Sequence, residues 1–197
     1  MAARLILASA SPRRRELLAQ LGVAFEVVTS DVPETPAPAE LPAAFAQRVA
    51  RDKAAEVARR CPQALVLAAD TVVAVDGDIF GKPRDRADAR RMLEALAGRT
   101  HEVLTAVALR TPAGDVEELV VRSAVEFRAL TAREIEDYVD GSEPYDKAGA
   151  YAVQGQAQRF VVQVRGSYTN VVGLPLDEVR ELLRRHLCQA AATPALP

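Results

Sequence analysis

Asp70 is the one charged residue in the apolar run Leu65-Val-Leu-Ala-Ala-Asp70-Thr71-Val-Val-Ala-Val75. A carboxylate in a strand of this kind must be paired with a cation or a metal, or sit where the strand emerges into a ligand cleft. The turn at Asp76-Gly77 then folds the chain back through Phe80-Gly81-Lys82-Pro83, which lets the Lys82 ammonium approach Asp70. An acid and a lysine facing one cleft suit a metal-held triphosphate with a neutralising cation. A second lysine belongs with them. On a helix starting near Phe45, the apolar positions Val49, Ala46, Val57 and Ala50 span one arc, and Lys53 falls inside it at about 80° from Phe45. A buried ammonium needs a partner. The alternative is a lysine that snorkels to the edge beside Glu56. Glu34, in a proline-rich stretch, reads by itself as a solvent-exposed acid.

A third constellation is Ser9-Ala10-Ser11-Pro12-Arg13-Arg14-Arg15. Ser11-Pro12 reads as an N-cap followed by proline at the first helical position. Three arginines in a first helical turn oppose the positive end of the dipole. A bound phosphate resolves the conflict, because the N-terminus and the Arg forks both match its oxygens. A solvated charge run is the plainer alternative. Two polar loops, Glu143 to Gly155 and Gly166 to Pro175, either shape a pocket or satisfy a complicated backbone.

The elements that must position these groups form an alternating series. Strands are expected at Arg4–Ala8, Phe25–Thr29 and Ala64–Val75, with helices from Pro12 to Leu21, Phe45 to Arg60 and Asp85 to Gly98. Glu102–Arg110 and Val116–Phe127 flank Pro-Ala-Gly-Asp as a hairpin. Thr131-Ala-Arg-Glu134 is a capping box. A strand at Phe160–Val164 and a helix at Leu176–Leu187 complete one α/β domain over residues 1–188, with 189–197 as a frayed tail.

Composition narrows the function. The chain has 197 residues, 25 basic and 27 acidic, for a net charge of −2, which disfavours a surface that coats nucleic acid. No apolar run is long enough to span a bilayer, and the N-terminus does not read as an export signal. Cys61 and Cys188 fit no metal or redox spacing and read as reduced cytoplasmic thiols. His101 and His186 are isolated. Phosphate-cradling G-x-x-x-x-G-K-[ST], dinucleotide G-x-G-x-x-G and zinc H-E-x-x-H motifs are all missing. Only three of the basic residues are lysine (Lys53, Lys82 and Lys147), which marks them as sites where a compact ammonium is wanted.

Taken together, LILASASPRRRELL, RDKA, AADTVVAVDG, FGKPRD, EPYDKAGAYAVQG and GSYTNVVGLPL resemble, in order and spacing, the Maf family of nucleoside triphosphate pyrophosphatases, also called septum-formation inhibitor proteins. The resemblance implies an elongated mixed β-sheet flanked by helices, with two lobes around a cleft, similar to the inosine-triphosphatase fold. It implies hydrolysis between the α and β phosphates with a divalent cation, magnesium or manganese. By the same resemblance Asp70 is the proton acceptor, and Asp70 and Glu34 face the metal. Ser9, Arg13, Arg14, Lys53 and Lys82 lie around the phosphates. Arg13, Thr71 and Gln154 match the branch acting on dTTP and UTP; the branch acting on 7-methyl-GTP carries an aromatic, Gln and Glu at those positions. The amide of Gln154 offers a donor and an acceptor to the N3–H and carbonyl of thymine or uracil, whereas a carboxylate offers no donor. A cytoplasmic enzyme that binds neither nucleic acid nor membrane follows, and a homodimer is left open. Two rivals stand beside it: a nucleotide-binding regulator of cell division with little turnover, and a nucleic-acid binder using Arg13 to Arg15.

Overall fold

The structure, a computed structural model, describes residues 4–189; the expected frayed tail lies outside them, apart from Gln189 itself. Seven strands form one mixed sheet: β1 (Leu5–Ala8), β2 (Glu26–Val27), β3 (Leu65–Val75), β4 (Asp78–Phe80), β5 (Thr100–Arg110), β6 (Val116–Phe127) and β7 (Val161–Arg165). Their order is β2-β1-β3-β5-β6-β7, with β4 beside β3. Six helices accompany them: α1 (Pro12–Ala19), α2 (Pro42–Arg60), α3 (Arg86–Leu96), α4 (Ala132–Val139), α5 (Tyr168–Val172) and α6 (Leu176–Gln189). The expected elements are present, with ends moved by a few residues. The strand expected at Phe25–Thr29 pairs only at Glu26 and Val27. Helix α5 and strand β4 were not foreseen.

The pairing of β3 makes the site. Along one edge, β5 pairs with it antiparallel from Val66 to Ala74. The other edge is divided. β1 pairs in parallel with Leu65 to Ala68, and β4 pairs antiparallel with Val73 to Val75. The backbone from Ala69 to Val72 therefore has no strand partner on that edge, and Asp70 and Thr71 stand in the gap. Chain direction produces the gap: β1 ends at Ala8 and turns away into α1, while β4 is a short hairpin return through Asp76 and Gly77, both at positive φ.

The two faces of the sheet differ. Alternation along β3 sends Val66, Ala68, Val72 and Ala74 to a face covered by α2, where Phe45, Ala46, Val49, Ala50, Ala54 and Val57 pack on them. Asp70 shares that register and so faces α2. The opposite face carries two cores. Leu65, Leu67 and Ala69 pack with α1 and α6, whereas Val73 and Val75 pack with α3, α4 and the segment around Tyr151. Thr71 lies between them. The two expected lobes are these two cores, joined by β3 and β5, and the cleft is the division between them.

The second core holds His101, 2% exposed. Its Nε2 lies 2.8 Å from the Tyr151 hydroxyl, and Phe127 and Tyr151 meet its ring edge to face. Burial pushes the imidazole down to about 4 from an ordinary value near 6.5. The unfolded chain thus binds a proton between these values that the folded chain refuses. Stability is full above pH 6.5 and falls as pH drops toward 4, by about 3 kcal/mol. Urea unfolding of His101→Phe as a function of pH should show a flatter slope between pH 6.5 and 5 than the parent protein; equal slopes would exclude His101 as the source.

Candidate functional site

Lys53 is the centre of the site. It projects from the apolar face of α2 and is 6% exposed. Its Nζ donates to Asp70 Oδ1 at 2.8 Å and lies 2.6 Å from Glu34 Oε1. The surface alternative does not occur, since Glu56 pairs with Arg60 instead. Glu34, read alone as a solvated acid, is drawn to the buried ammonium although its side chain stays 41% exposed. Lys82 stands on the far side of Glu34, 3.7 Å from Oε2, so it joins Asp70 through Glu34 rather than directly. Burial of Glu34 favours its protonated form, but the Lys53 hydrogen bond and the charges of Lys53, Lys82 and Arg14 outweigh it and hold the carboxyl below its ordinary range.

Arg14 approaches Asp70 from the opposite face. Its guanidinium donates to the Ala69 carbonyl at 2.7 Å, to Thr71 Oγ1 at 2.9 Å and to the Gly173 carbonyl at 2.8 Å. Both neighbours of Asp70 are thus held by one side chain. Three of the five N–H donors are committed to protein acceptors, leaving two for a ligand. Desolvation lowers the Arg14 pKa, opposed by the charges of Asp70 and Glu34. The Thr71 hydroxyl also meets Thr105 Oγ1 at 2.9 Å, and Thr105 donates to the Asn170 carbonyl at 2.9 Å. Thr105 has given its proton to Asn170, so Thr71 is the donor in its pair with Thr105. The chain Arg14, Thr71, Thr105, Asn170 therefore ties α1, β3, β5 and α5 together. Of the three first-turn arginines, Arg14 points inward.

These groups line a cleft of about 1140 Å³. Ser9, Arg13, Arg14, Glu34, Lys53, Asp70, Thr71, Lys82 and Gln154 all border it. Ser9 is 7% exposed and accepts the Ser11 amide at 3.1 Å, which shapes the turn into α1. Ser11 caps that helix by accepting the Arg14 amide. All three lysines of the sequence border this cleft, including Lys147, which pairs with Asp146. Sequence reasoning left Lys147 without a role; its scarcity as a lysine was the available signal. Arg84 and Arg91 border the cleft too, both bound to the buried Asp88, and nothing in their spacing distinguished them from surface arginines. The loops of Lys82 and Lys147 meet where the Gly149 amide donates to the Gly81 carbonyl at 3.0 Å. Gly149, at φ 69°, lies so close to Val73 that a Cβ would fall 2.9 Å from Cγ2.

The chain is similar to several known proteins. A family model described as Maf-like protein matches residues 4–186. A dTTP/UTP pyrophosphatase of Anaeromyxobacter dehalogenans is 56% identical over 94% of this chain and 95% of its own. One from Geobacter sulfurreducens is 54% identical over 92% and 96%, and one from Vibrio cholerae is 49% identical over 92% and 97%. Among solved structures, a Ham1 protein from Staphylococcus aureus covers 93% of this chain and 99% of its own, at 14% identity and a TM-score of 0.57. At this identity the likeness concerns the fold alone.

Lys53→Met removes the one cation shared by the two acids. Breaking a buried pair on one side leaves an uncompensated charge and costs about 3–5 kcal/mol. The depressed Glu34 carboxyl contributes stability above its ordinary pKa, lost as pH falls through the lowered value, and Lys53 is the largest source of that gain. Urea melts should therefore show the largest gap between parent and Lys53→Met at neutral pH, narrowing below the ordinary carboxylate range as Glu34 takes its proton. A gap independent of pH would mean that the ion cluster is not what the variant loses.

Proposed function

The chain belongs to the family of Maf-like proteins, and on that footing we propose that it hydrolyses dTTP and UTP to the nucleoside monophosphate and pyrophosphate. One observation carries the reading: a buried ammonium shared between Asp70 and Glu34 at the break in the β3 edge, open to a cleft bordered by Lys82 and the start of α1. An assembly of acids and cations with that exposure suits a polyanion that brings its own ligands for a metal.

Among the described residues no three acidic, histidine or cysteine side chains group into a metal cage. A magnesium ion is characteristically held by one or two carboxylates together with substrate phosphates, and Asp70 and Glu34 supply that donor set. Magnesium or manganese bound there would neutralise charge on the triphosphate. The remaining chemistry belongs to the chain. Asp70 takes the proton of the attacking water, as the water oxygen bonds to the α phosphorus and the bond from that phosphorus to the bridging oxygen breaks. Lys53 donates to Oδ1, which orients the carboxylate and directs Oδ2 to this task. Lys82 and the free donors of Arg14 stabilise the leaving pyrophosphate, and Ser9 with the N-terminus of α1 holds phosphate oxygens.

At the other end, Gln154 is exposed to the cleft. Its amide can give a hydrogen to a carbonyl of thymine or uracil and accept from N3–H. Arg13 joins it in selection. Thr71 acts through the wall it builds with Arg14 and Thr105, its own hydroxyl being engaged. The inward turn of Arg14 favours a nucleotide over nucleic acid as the ligand. No helix among the described residues is long and apolar enough to cross a membrane, and we place the enzyme in the cytoplasm.

Pyrophosphate release from a panel of nucleoside triphosphates, with and without magnesium, tests the assignment. Magnesium-dependent pyrophosphate from dTTP and UTP is expected; binding without release would favour a regulator of cell division. Asp70→Asn should keep the fold and lose about 10²–10⁴ in turnover, and a parent-like rate would remove Asp70 from the mechanism. Gln154→Glu should depress dTTP and UTP more than GTP, by at least about tenfold in relative kcat/KM. An unchanged ranking would reject the base-reading role of the amide.

A further inference from the structure

The turn that follows Gln154 is held by a carboxylate from another segment. Glu143 opens a short 3-10 turn (Glu143–Asp146) after α4. Its Oε1 accepts the Tyr138 hydroxyl at 2.7 Å and the Ala157 amide at 3.3 Å, and its Oε2 accepts the Gln156 amide at 2.9 Å. Between Gln154 and these amides lies Gly155, and a Cβ built on it would fall 2.1 Å from Glu143 Oε2, 2.4 Å from Cδ and 2.5 Å from Oε1. The backbone there is extended, at φ −124°, so the carboxylate itself, and not the backbone angle, excludes a side chain. Backbone and acid are in direct contact, without room for another group.

Two further observations connect this contact to the cleft. Burial would raise the Glu143 pKa. The Gln156 amide, the Tyr138 hydroxyl, the Ala157 amide and the Arg13 charge reverse this and hold the carboxyl below its ordinary range. Arg13 and Gln154 both border the cleft. The Tyr138 hydroxyl is raised by burial and by Glu143, so it remains the donor. Gln154 makes no hydrogen bond among the described residues, so its amide is placed only by the backbone that carries it. A free amide in water discriminates between bases only if its backbone is fixed.

We propose that Glu143 is a positioning residue for base recognition: its carboxylate fixes the backbone from Gly155 to Ala157 and thereby sets where the Gln154 amide meets the pyrimidine edge. The inference rests on the pyrophosphatase reading above. Glutamine cannot replace this acid, because one of its two terminal groups is a donor that would face a backbone N–H.

The test combines steady-state kinetics on dTTP, UTP and GTP with amide hydrogen exchange, on the parent protein, Glu143→Gln, Glu143→Ala, Gly155→Ala and the Glu143→Ala/Gly155→Ala double variant. Glu143→Gln should lower kcat/KM for dTTP at least about tenfold, chiefly through KM, and compress the preference for dTTP over GTP by a similar factor. Exchange protection of the Gln156 and Ala157 amides should fall with it. Gly155→Ala alone should reproduce these losses. Added to Glu143→Ala it should cost less than about threefold more, since the atoms that bar the Cβ are gone. A folded Glu143→Ala that keeps the parent preference, or a Gly155→Ala effect equal in both backgrounds, overturns the inference. A parent protein that releases no pyrophosphate overturns the base-recognition role together with the activity, whereas retained amide protection in Glu143→Ala refutes the anchor alone.

Discussion

One ammonium shared by two carboxylates sets the design of this molecule. Lys53 is almost without solvent, and its contacts to Asp70 and Glu34 are the reason that an acid can occupy the middle of the longest apolar strand run. Each partner is costly in that position alone. Desolvating a carboxylate or an ammonium carries a penalty of several kcal/mol, which only close pairing offsets. The pairing also brings the proline-rich segment of Glu34 to the sheet, although no strand or helix holds it there. A site that must receive three or more negative charges is thus built with its own negative charges already neutralised.

That arrangement requires a break in the sheet, and the break is topological. β3 is continuously paired to β5 on one edge, which makes it stiff. On the other edge the parallel partner β1 and the hairpin partner β4 leave Ala69 to Val72 uncovered. Arg14 satisfies the exposed carbonyl of Ala69 and engages the hydroxyl of Thr71, so a side chain takes the place of a strand at part of the gap. The opposite face divides at the same point into two apolar cores. Cleft, buried Asp70 carboxylate and lobe boundary coincide because one strand passes through all three.

Much of this was legible in the sequence, for identifiable reasons. Hydrophobic alternation and cap chemistry locate β1, β3, the β5–β6 hairpin and five of the six helices, and the apolar arc of α2 singles out Lys53 as a buried cation. Asp70 declared itself by interrupting a greasy run. Glu34 did not, because its role depends on a contact with a residue nineteen positions away, and nothing local to a proline-rich loop encodes it. Arg14 was read with its neighbours as a phosphate ligand; its inward turn follows from the position of the Ala69 and Gly173 carbonyls, which periodicity does not reveal. The 3-10 turns around Glu143 and Ala148 carry no periodic signal either. The turn around Ala148 is fixed by the packing of Gly149 on Val73 and its amide bond to Gly81, and the turn after Gln154 by Glu143 as a distant acceptor, none of which propensity encodes.

The two ends of the cleft are held by different physics, and under the function proposed above this separates chemistry from selection. At the phosphate end, ionic contacts join α2, β3 and the Glu34 segment, and any change there alters buried charge. At the base end, Gln154 hangs from a turn fastened by hydrogen bonds of one carboxylate to two amides and a tyrosine. A change of Gln154 disturbs no buried ion and leaves that fastening in place. The amide can therefore be exchanged for another recognising group at little cost in stability, whereas Asp70, Lys53 and Glu34 cannot be exchanged singly. A family built on this plan can diversify its bases while retaining one way of cleaving a triphosphate.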